Sequence, residues 1–188
     1  MVINIADECQ VDPSGQWITI QKVDGGATVR NLTTNAMVST TWGIDGFYHA
    51  DTGPGTVFAS DGSGTGLSIR SLATPHTVTK ILAGKFPFSN QNYSMYAYNQ
   101  QWALVWTQRN DSLSVSRPFE NELLQVATDG SNRVRRIAHH RSRWNDYYDQ
   151  PNANISRDGR FVAFVSNWGN ASGQRDVYIV KIDPAPIE

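Results

Sequence analysis

Short stretches of alternating apolar and polar residues, separated by turn residues, recur along the chain. The segment TVRNLTT at 28–34 matches SIRSLAT at 68–74, forty residues later. Alternation with a period of two is typical of half-buried β-strands, and in both copies another alternating stretch follows a polar turn. The pattern therefore predicts two equivalent hairpins whose outer strands lie at 37–41 and 78–82.

A turn followed by a strand that begins with an aromatic residue also recurs. Its copies are DPSGQWITI at 12–20, YNQQWALVW at 98–106 and SRDGRFVAF at 156–164. Asp caps a tight turn with its side chain, and Gly accepts positive φ at little cost. We expect Trp17, Trp102 and Phe161 at equivalent buried positions of three repeats, with TVFAS at 56–60 as the matching strand of a fourth repeat.

These elements follow one another in the order of a four-stranded propeller blade. The predicted fold class is therefore all-β, with about four β-propeller blades of four antiparallel strands in a single domain, 1–188. They form either a small closed ring or half of a larger ring. The blades are expected near residues 7–41, 47–82, 93–138 and 150–182. Their innermost strands, which would line the channel, are expected at 6–11, 47–51, 93–98 and 150–155.

The last repeat differs from the others because no outer strand follows its alternating stretch at 177–182. An outer strand is expected at 134–138 for the preceding repeat. An unpaired apolar edge is an aggregation hazard, so we expect residues 2–6, with the sequence VINIA, to pair beside 177–182 and close the last blade. The alternative is that the chain is a fragment of a larger ring.

Composition narrows the classes of partner. With 39% hydrophobic residues, a formal net charge of -1 and a mean hydropathy of -0.42, the chain has the composition of an ordinary globular protein and no global field for phosphate or anionic lipid. We expect neither a nucleic acid nor a membrane partner, while the cellular compartment stays open.

The single cysteine, Cys9, permits no intramolecular disulfide and is expected to be a small buried residue. The segment 133–143 is locally basic and is either an anion site or a solvated face.

The C-terminal segment resembles a known family of repeats. Its SRDGRFVAFVSNW, within 134–182, is similar to the strand turn and apolar strand of the bacterial propeller repeats related to TolB, which are WD40-like. Arg157 stands where that family usually has proline, and a turn position accepts either residue. The resemblance implies the propeller fold and says little about function.

A narrower resemblance is to oligogalacturonate-lyase-like propellers, which hold a metal through a Gln and several His residues. It implies Gln150 as that Gln and His49, His139 and His140 as ligand candidates, but Asn152 and Asn154 stand where His would be needed. Asn is a poor transition-metal ligand, so we expect no metal site and no cofactor. Any bound metal would be a hard ion held by oxygens of Asp51, Gln150, Asn152 and Asn154.

The chemically richest segment is FYHADTGPG at 47–55. An imidazole beside a carboxylate can act as a general base or can hold a turn through a structural hydrogen bond. The catalytic candidates are Tyr48, His49 and His140. The ligand-binding candidates, expected to face the channel or its mouth, are His49, Asp51, His139, Trp144, Tyr147, Gln150, Asn152 and Asn154.

Three hypotheses about function remain open. The first is a noncatalytic propeller module that presents its channel and loop face to a protein or glycan, and it follows from the absence of a nucleophile or nucleotide motif. The second is a carbohydrate-active lyase or hydrolase with a His/Tyr acid–base site. The third is a half-ring that assembles with a second copy as a homodimer.

Overall fold

A computed structural model describes residues 6–42, 44–47, 49–60, 66–83, 90–95, 101–108, 118–170 and 173–183, with 90–95 described by their backbone alone. The chain divides into two compact units, Met1–Pro87 and Phe88–Glu188. Each unit contains two antiparallel sheets in the described ranges. These ranges contain no α-helix, and their one helical element is a 3-10 turn at Tyr147–Asp149.

The first unit has two four-stranded sheets, each in sequential strand order. One consists of β1 Ala6–Val11, β2 Trp17–Lys22, β3 Ala27–Asn31 and β4 Met37–Thr40. The other consists of β5 Asp51–Gly53, β6 Thr56–Ser60, β7 Leu67–Ser71 and β8 Thr79–Ile81. The two matching segments at 28–34 and 68–74 thus begin in the third strand of consecutive sheets, as the repeat predicts.

The second unit has one four-stranded sheet and one sheet with three described strands. The four-stranded sheet consists of β9 Asn90–Met95, β10 Trp102–Gln108, β11 Glu122–Ala127 and β12 Val134–His139. The other consists of β13 Asn154–Ile155, β14 Phe161–Ser166 and β15 Asp176–Lys181. The all-β class and the four-stranded blade pattern are therefore confirmed, and the last sheet lacks a described outer strand, as expected. Of residues 2–6, predicted to supply that strand, 2–5 lie outside the described residues. Ala6 instead begins β1 of the first sheet, where it pairs with Lys22, so for this residue the prediction is wrong.

Each unit has its own apolar core. In the first, small and aromatic side chains from both sheets meet at Ala27, Val29, Phe47, Ala50, Val57, Ala59 and Leu72. In the second, the core consists of Leu104, Trp106, Leu123, Ala153, Val162, Phe164 and Ile182. In both units, burial of apolar surface between two consecutive sheets is the interaction that holds the sheets together.

The aromatic residues that begin the second strand of three sheets occupy equivalent positions but are less buried than expected. Trp17, Trp102 and Phe161 each begin the second strand of a sheet, which confirms the alignment of the repeats. The expectation of burial is wrong: Trp17 and Trp102 are half-buried, and Phe161 is 42% exposed. They follow directly on a turn, so they lie at the rim of the sheet. The fully buried aromatic residue of β10 is Trp106, with 1% exposure.

Cys9 also departs from the expectation, since it is exposed on β1 rather than buried. Its neighbours on that strand are mostly exposed, because β1 is the edge strand of its sheet. Within the described ranges, no helix has the length and apolarity needed to cross a membrane.

Candidate functional site

An open cleft of about 340 Å³ lies in the second unit, beside the end of β12. Its walls are the segment that follows β12 and the turn that follows β14. The lining residues are Asn121, His139, Arg141, Ser142, Arg143, Trp168 and Gly169. The cleft therefore combines imidazole, guanidinium, hydroxyl and indole groups within one recess.

The two walls are tied together by the side chain of Asn167. Its Oδ1 accepts a hydrogen bond from the backbone N–H of Arg143 at 2.8 Å, and its Nδ2 donates to the carbonyl of Arg143 at 2.8 Å. Asn167 is 3% exposed. A reciprocal pair of buried hydrogen bonds fixes the separation of the two segments, so the cleft has a defined shape.

His140 holds the segment that follows β12 through two hydrogen bonds of its ring. Its ring is fully buried, and its Nε2 donates to the carbonyl of Thr107 at 2.8 Å, while its Nδ1 accepts from the N–H of Ser142 at 3.0 Å. The two contacts require the neutral tautomer with hydrogen on Nε2. Burial lowers the pKa of His140 to about 4, although the hydrogen bond to Thr107 opposes the shift.

The backbone on both walls adopts an unusual conformation. Arg141 has φ of 57° and Trp168 has φ of 50°, in the left-handed region that non-glycine residues rarely adopt. Each such residue costs roughly 1–3 kcal/mol and persists where surrounding contacts hold it, often at functional sites. Here the conformation brings both side chains to the same cleft.

Arg141 and Trp168 begin a column of stacked side chains. The guanidinium carbon of Arg141 lies 5.6 Å from the centre of the Trp168 ring. That ring stacks on Tyr178 at 5.0 Å, and Tyr178 stacks on the core residue Phe164 at 5.5 Å. The guanidinium is therefore held by cation–π contact on a support that reaches into the core.

The arginines of segment 133–143 differ in what they contact. Arg133 pairs with Asp129, Arg136 pairs with Glu122, and Arg135 donates to the carbonyl of Asp183. Among the described residues, neither Arg141 nor Arg143 pairs with a carboxylate. The positive charge available to a ligand is therefore concentrated at the cleft.

The loop after the cleft presents exposed aromatic rings on a rigid support. Tyr147 and Tyr148 are 70% and 71% exposed and meet edge to face at 5.7 Å. Below them the carboxylate of Asp149 accepts from the N–H of Asn145 at 2.8 Å and from Arg175 at 2.9 Å. Desolvation raises the pKa of Asp149, but these and other hydrogen bonds outweigh it and lower the pKa.

The other predicted residues of the second unit lie close to that loop. Gln150 is buried and ends the 3-10 turn, and Trp144 is half-buried. Asn152 and Asn154 are exposed, and the Nδ2 of Asn154 donates to the carbonyl of Asn152 at 3.1 Å. In the described ranges, no three or more His, Cys, Asp or Glu residues cluster in a way that would hold a metal.

In the first unit, His49 and Asp51 lie at the start of the second sheet. His49 is half-buried with φ of 46°, and Asp51 begins β5, with its Oδ1 accepting from the N–H of Thr52 at 2.9 Å. Tyr48 lies outside the described residues. That His49, Asp51, Gln150, Asn152 and Asn154 share one channel stays a prediction.

Of the predicted binding residues, His139 lines the cleft. The catalytic candidate His140 is buried and is not among the lining residues. Three further lining residues, Trp168, Ser142 and Asn121, were not among the predicted site residues. The one sequence signal for Trp168 is the SNWG segment at the end of an apolar strand, which is typical of a tight turn that projects its side chains.

Comparisons with known proteins bear on the fold. No family model matches the sequence, and no curated protein matches it either. Solved structures do match. The tricorn protease aligns with a TM-score of 0.64 at 14% identity, covering 95% of this chain and 16% of that one. The oligogalacturonate lyase of Vibrio parahaemolyticus aligns at 0.62 and 10% identity, covering 90% of this chain and 47% of that one.

A third match is KlAtg21 in its complex with the coiled coil of AgAtg16, at a TM-score of 0.64 and 10% identity. It covers 97% of this chain and 54% of that one. The chain thus spans about half or less of the length of these proteins. At such low identity the likeness concerns the fold alone. Together with the sheet order, it shows that this chain is built of antiparallel β-propeller blades like those of the tricorn protease and oligogalacturonate lyase.

Proposed function

We propose that the protein is a noncatalytic binding module that docks an acidic segment of a protein partner in the cleft of the second unit. The observation that carries this proposal is the pairing of Arg141 with Trp168. The guanidinium is fixed on an aromatic ring at 5.6 Å, while no described carboxylate pairs with it. Two further basic side chains, His139 and Arg143, line the same cleft.

A guanidinium held in this way is prepared for a carboxylate. Arg presents its N–H groups in a planar fork that matches a carboxylate, and stacking against a ring leaves groups at the edge of that fork available. Because the stack immobilises the side chain in advance, less conformational entropy is lost on binding. A charge-assisted hydrogen bond of this kind contributes about 1.5–3 kcal/mol.

An acidic peptide fits this cleft better than a sugar does. A sugar would stack on an uncovered aromatic face, but the ring of Trp168 already contacts Arg141 and Tyr178. The matched structure of KlAtg21 is a complex with a protein segment, a coiled coil, which is a precedent for protein binding on this fold.

The hydrogen bonds of the histidines support a noncatalytic role. Both ring nitrogens of His140 are engaged with backbone groups, so neither is placed to exchange a proton with a ligand. The Nδ1 of His139 accepts from the N–H of Arg141 at 3.1 Å. These contacts shape the segment that carries Arg141.

The test is binding of a fluorescently labelled, glutamate-rich peptide to the full chain, followed by anisotropy. We expect binding that weakens as salt rises, and Arg141→Ala and Arg143→Ala should each lower the affinity about tenfold, as the loss of one charge-assisted contact implies. Arg133→Ala is the matched control, because it removes the same charge from an arginine already paired with Asp129.

Equal weakening by all three substitutions would mean nonspecific attraction and would contradict the proposal. Absence of peptide binding, together with saturable binding of an oligogalacturonate that Arg141→Ala abolishes, would replace the protein partner by an acidic glycan. Cleavage of that glycan would favour the lyase hypothesis.

A further inference from the structure

The first unit contains a group of buried oxygen atoms on one face of the β1–β2 hairpin. In the antiparallel register, Glu8 pairs with Gln21 and Gln10 pairs with Thr19. Directly paired residues project to the same face of a sheet, and so do residues two apart along a strand. The four side chains therefore extend from the corners of a patch of about 5 by 7 Å.

Three oxygens of this patch have no hydrogen-bond partner among the described residues. They are the Oε1 of Gln10, the Oγ1 of Thr19 and the Oε1 of Gln21, all buried. Thr19 and Gln21 are fully buried residues. Each amide already uses its nitrogen, because Gln10 donates to the carbonyl of Ala50 at 2.9 Å and Gln21 donates to Glu8 at 3.0 Å. These two bonds fix the amides with their oxygens unpaired.

A buried oxygen without a partner costs about 1–3 kcal/mol, and three such atoms together on one patch need an explanation. A group that satisfies them must be positive or must supply hydrogen-bond donors. The Glu8 carboxylate adds a negative charge to the same face, and Glu8 is exposed, which gives access from solvent.

We propose that the oxygens of Glu8, Gln10, Thr19 and Gln21 bind a hard divalent cation of the Ca²⁺ type. One carboxylate, two amide carbonyls and one hydroxyl are oxygen ligands that Ca²⁺ accepts in variable geometry, with water completing its shell. Mg²⁺ requires a near-ideal octahedron and parts reluctantly with its water, so it fits a set of mostly neutral side-chain ligands less well. These four side chains include no imidazole or thiolate that would favour a transition metal.

Because the site has a single carboxylate, its affinity for Ca²⁺ should be low. Ca²⁺ affinity rises with the number of charged ligands, and sites of low charge bind in the range of about 0.1–1 mM. The site lies in the first unit and is independent of the proposed peptide cleft of the second unit. Failure of either experiment therefore leaves the other proposal standing.

The test uses the full chain, stripped with a chelator and titrated with CaCl₂ while its thermal unfolding is followed. We expect the midpoint to rise and saturate, since a ligand that binds the native state stabilises it. Tb³⁺ is the second probe, because Trp17 lies two residues before Thr19 on the same face of β2 and should sensitise its emission. Ca²⁺ should compete with Tb³⁺, and Trp17→Phe should remove the sensitised emission.

Two variants locate the site. Glu8→Gln and Thr19→Val should each weaken the Ca²⁺ affinity at least about tenfold, and Thr19→Val should still fold, because an unpaired hydroxyl is replaced by a methyl group of the same shape. The matched controls are Thr28→Val and Asp176→Asn. Thr28 lies in β3 on the face of the sheet opposite Thr19, and Asp176 is an exposed carboxylate of the second unit. Both should bind Ca²⁺ as the unaltered protein does.

An unchanged midpoint in Ca²⁺ together with unsensitised Tb³⁺ would overturn the proposal and mean that these oxygens hold ordered water. Equal losses in the control variants would also overturn it, since they would indicate nonspecific charge neutralisation.

Discussion

The Oδ2 atom of Asp12 accepts a hydrogen bond from the backbone N–H of Gly55 at 2.8 Å, and this bond joins the two sheets of the first unit. The same carboxylate closes its own turn, because its Oδ1 accepts from the N–H groups of Gln16 at 3.0 Å and Trp17 at 2.8 Å. Asp12 is 2% exposed. One side chain thus determines a turn and its contact with the next blade.

Asp12→Ala should lower the free energy of unfolding by about 2–3 kcal/mol, because the N–H groups of Gln16, Trp17 and Gly55 lose a charged acceptor in partly buried hydrogen bonds. Desolvation raises the pKa of Asp12, but hydrogen bonds from Ser14, Gly55 and Trp17 outweigh it, so the pKa is lowered. This contribution is present above the unfolded-state pKa of 3.8 and is lost as the pH falls through the lower folded-state value. Urea denaturation at pH 7 and at low pH measures both effects.

Asp158→Ala is the control for this prediction. Asp158 holds the corresponding turn of the last sheet and is bonded to Ser156, but it is exposed and contacts no other sheet in the described residues. Asp158→Ala should therefore lower the free energy of unfolding by less than Asp12→Ala does. An equal cost at both positions would show that the bond between sheets adds nothing.

His140 should make stability depend on pH. Its folded-state pKa of about 4 lies below the ordinary 6.5, so the native state binds fewer protons than the unfolded state in that interval. Stability should be full above pH 6.5, fall by roughly 3 kcal/mol down to about pH 4, and then level off as far as this group is concerned.

The measurement is the difference between the unaltered protein and His140→Gln in urea midpoints from pH 7 to pH 4. This difference isolates one histidine from the carboxylates that titrate in the same interval. His139→Gln, at the exposed neighbour, should keep the original pH dependence. If His140→Gln keeps it too, the buried imidazole is not its source.

Trp106→Ala should cost about 3–5 kcal/mol, because the side chain is 1% exposed and packs in the core of the second unit. Trp102→Ala should cost less, since Trp102 is half-buried at the rim, where Arg133 lies 5.8 Å from its ring centre. Chemical denaturation of the two variants provides the comparison. A larger loss for Trp102 than for Trp106 would contradict the burial pattern of β10.

Deletion of residues 1–6 should destabilise the protein and promote aggregation. The described part of the last sheet ends at β15, where Val177 and Ile179 are each 70% exposed, and an apolar edge of this kind attracts another strand. Thermal unfolding and light scattering measure the effect. Unchanged melting and solubility would contradict closure by 2–6, and the solution mass would distinguish pairing within one chain from pairing in a homodimer.

The sequence by itself predicted the strands. Outer strands expected at 37–41, 78–82 and 134–138 are observed at Met37–Thr40, Thr79–Ile81 and Val134–His139. These predictions succeed because alternation and turn chemistry are local properties, set by neighbours within a few residues. The same local signals aligned Trp17, Trp102 and Phe161 across three sheets.

The composition of the cleft depends on tertiary structure. Arg141 and Trp168 lie in segments that follow strands of two different sheets, β12 and β14, and neither has a sequence pattern that indicates the other. They meet because Asn167 binds the backbone of Arg143 and because both residues adopt positive φ. A single sequence carries no record of such pairings between distant segments.

Arg30 and Arg70 occupy equivalent positions of the repeat. They show that strand formation is predicted by the sequence, whereas burial is not. The sequence places each in the third strand of its sheet, in TVRNLTT and SIRSLAT. Arg30 is exposed and donates to Asn35, whereas Arg70 is 3% exposed, lies 5.2 Å from the ring centre of Phe47 and donates to the carbonyl of Asp45. The strand is a local property, but burial depends on which distant segment covers that face, and the tertiary structure alone decides it.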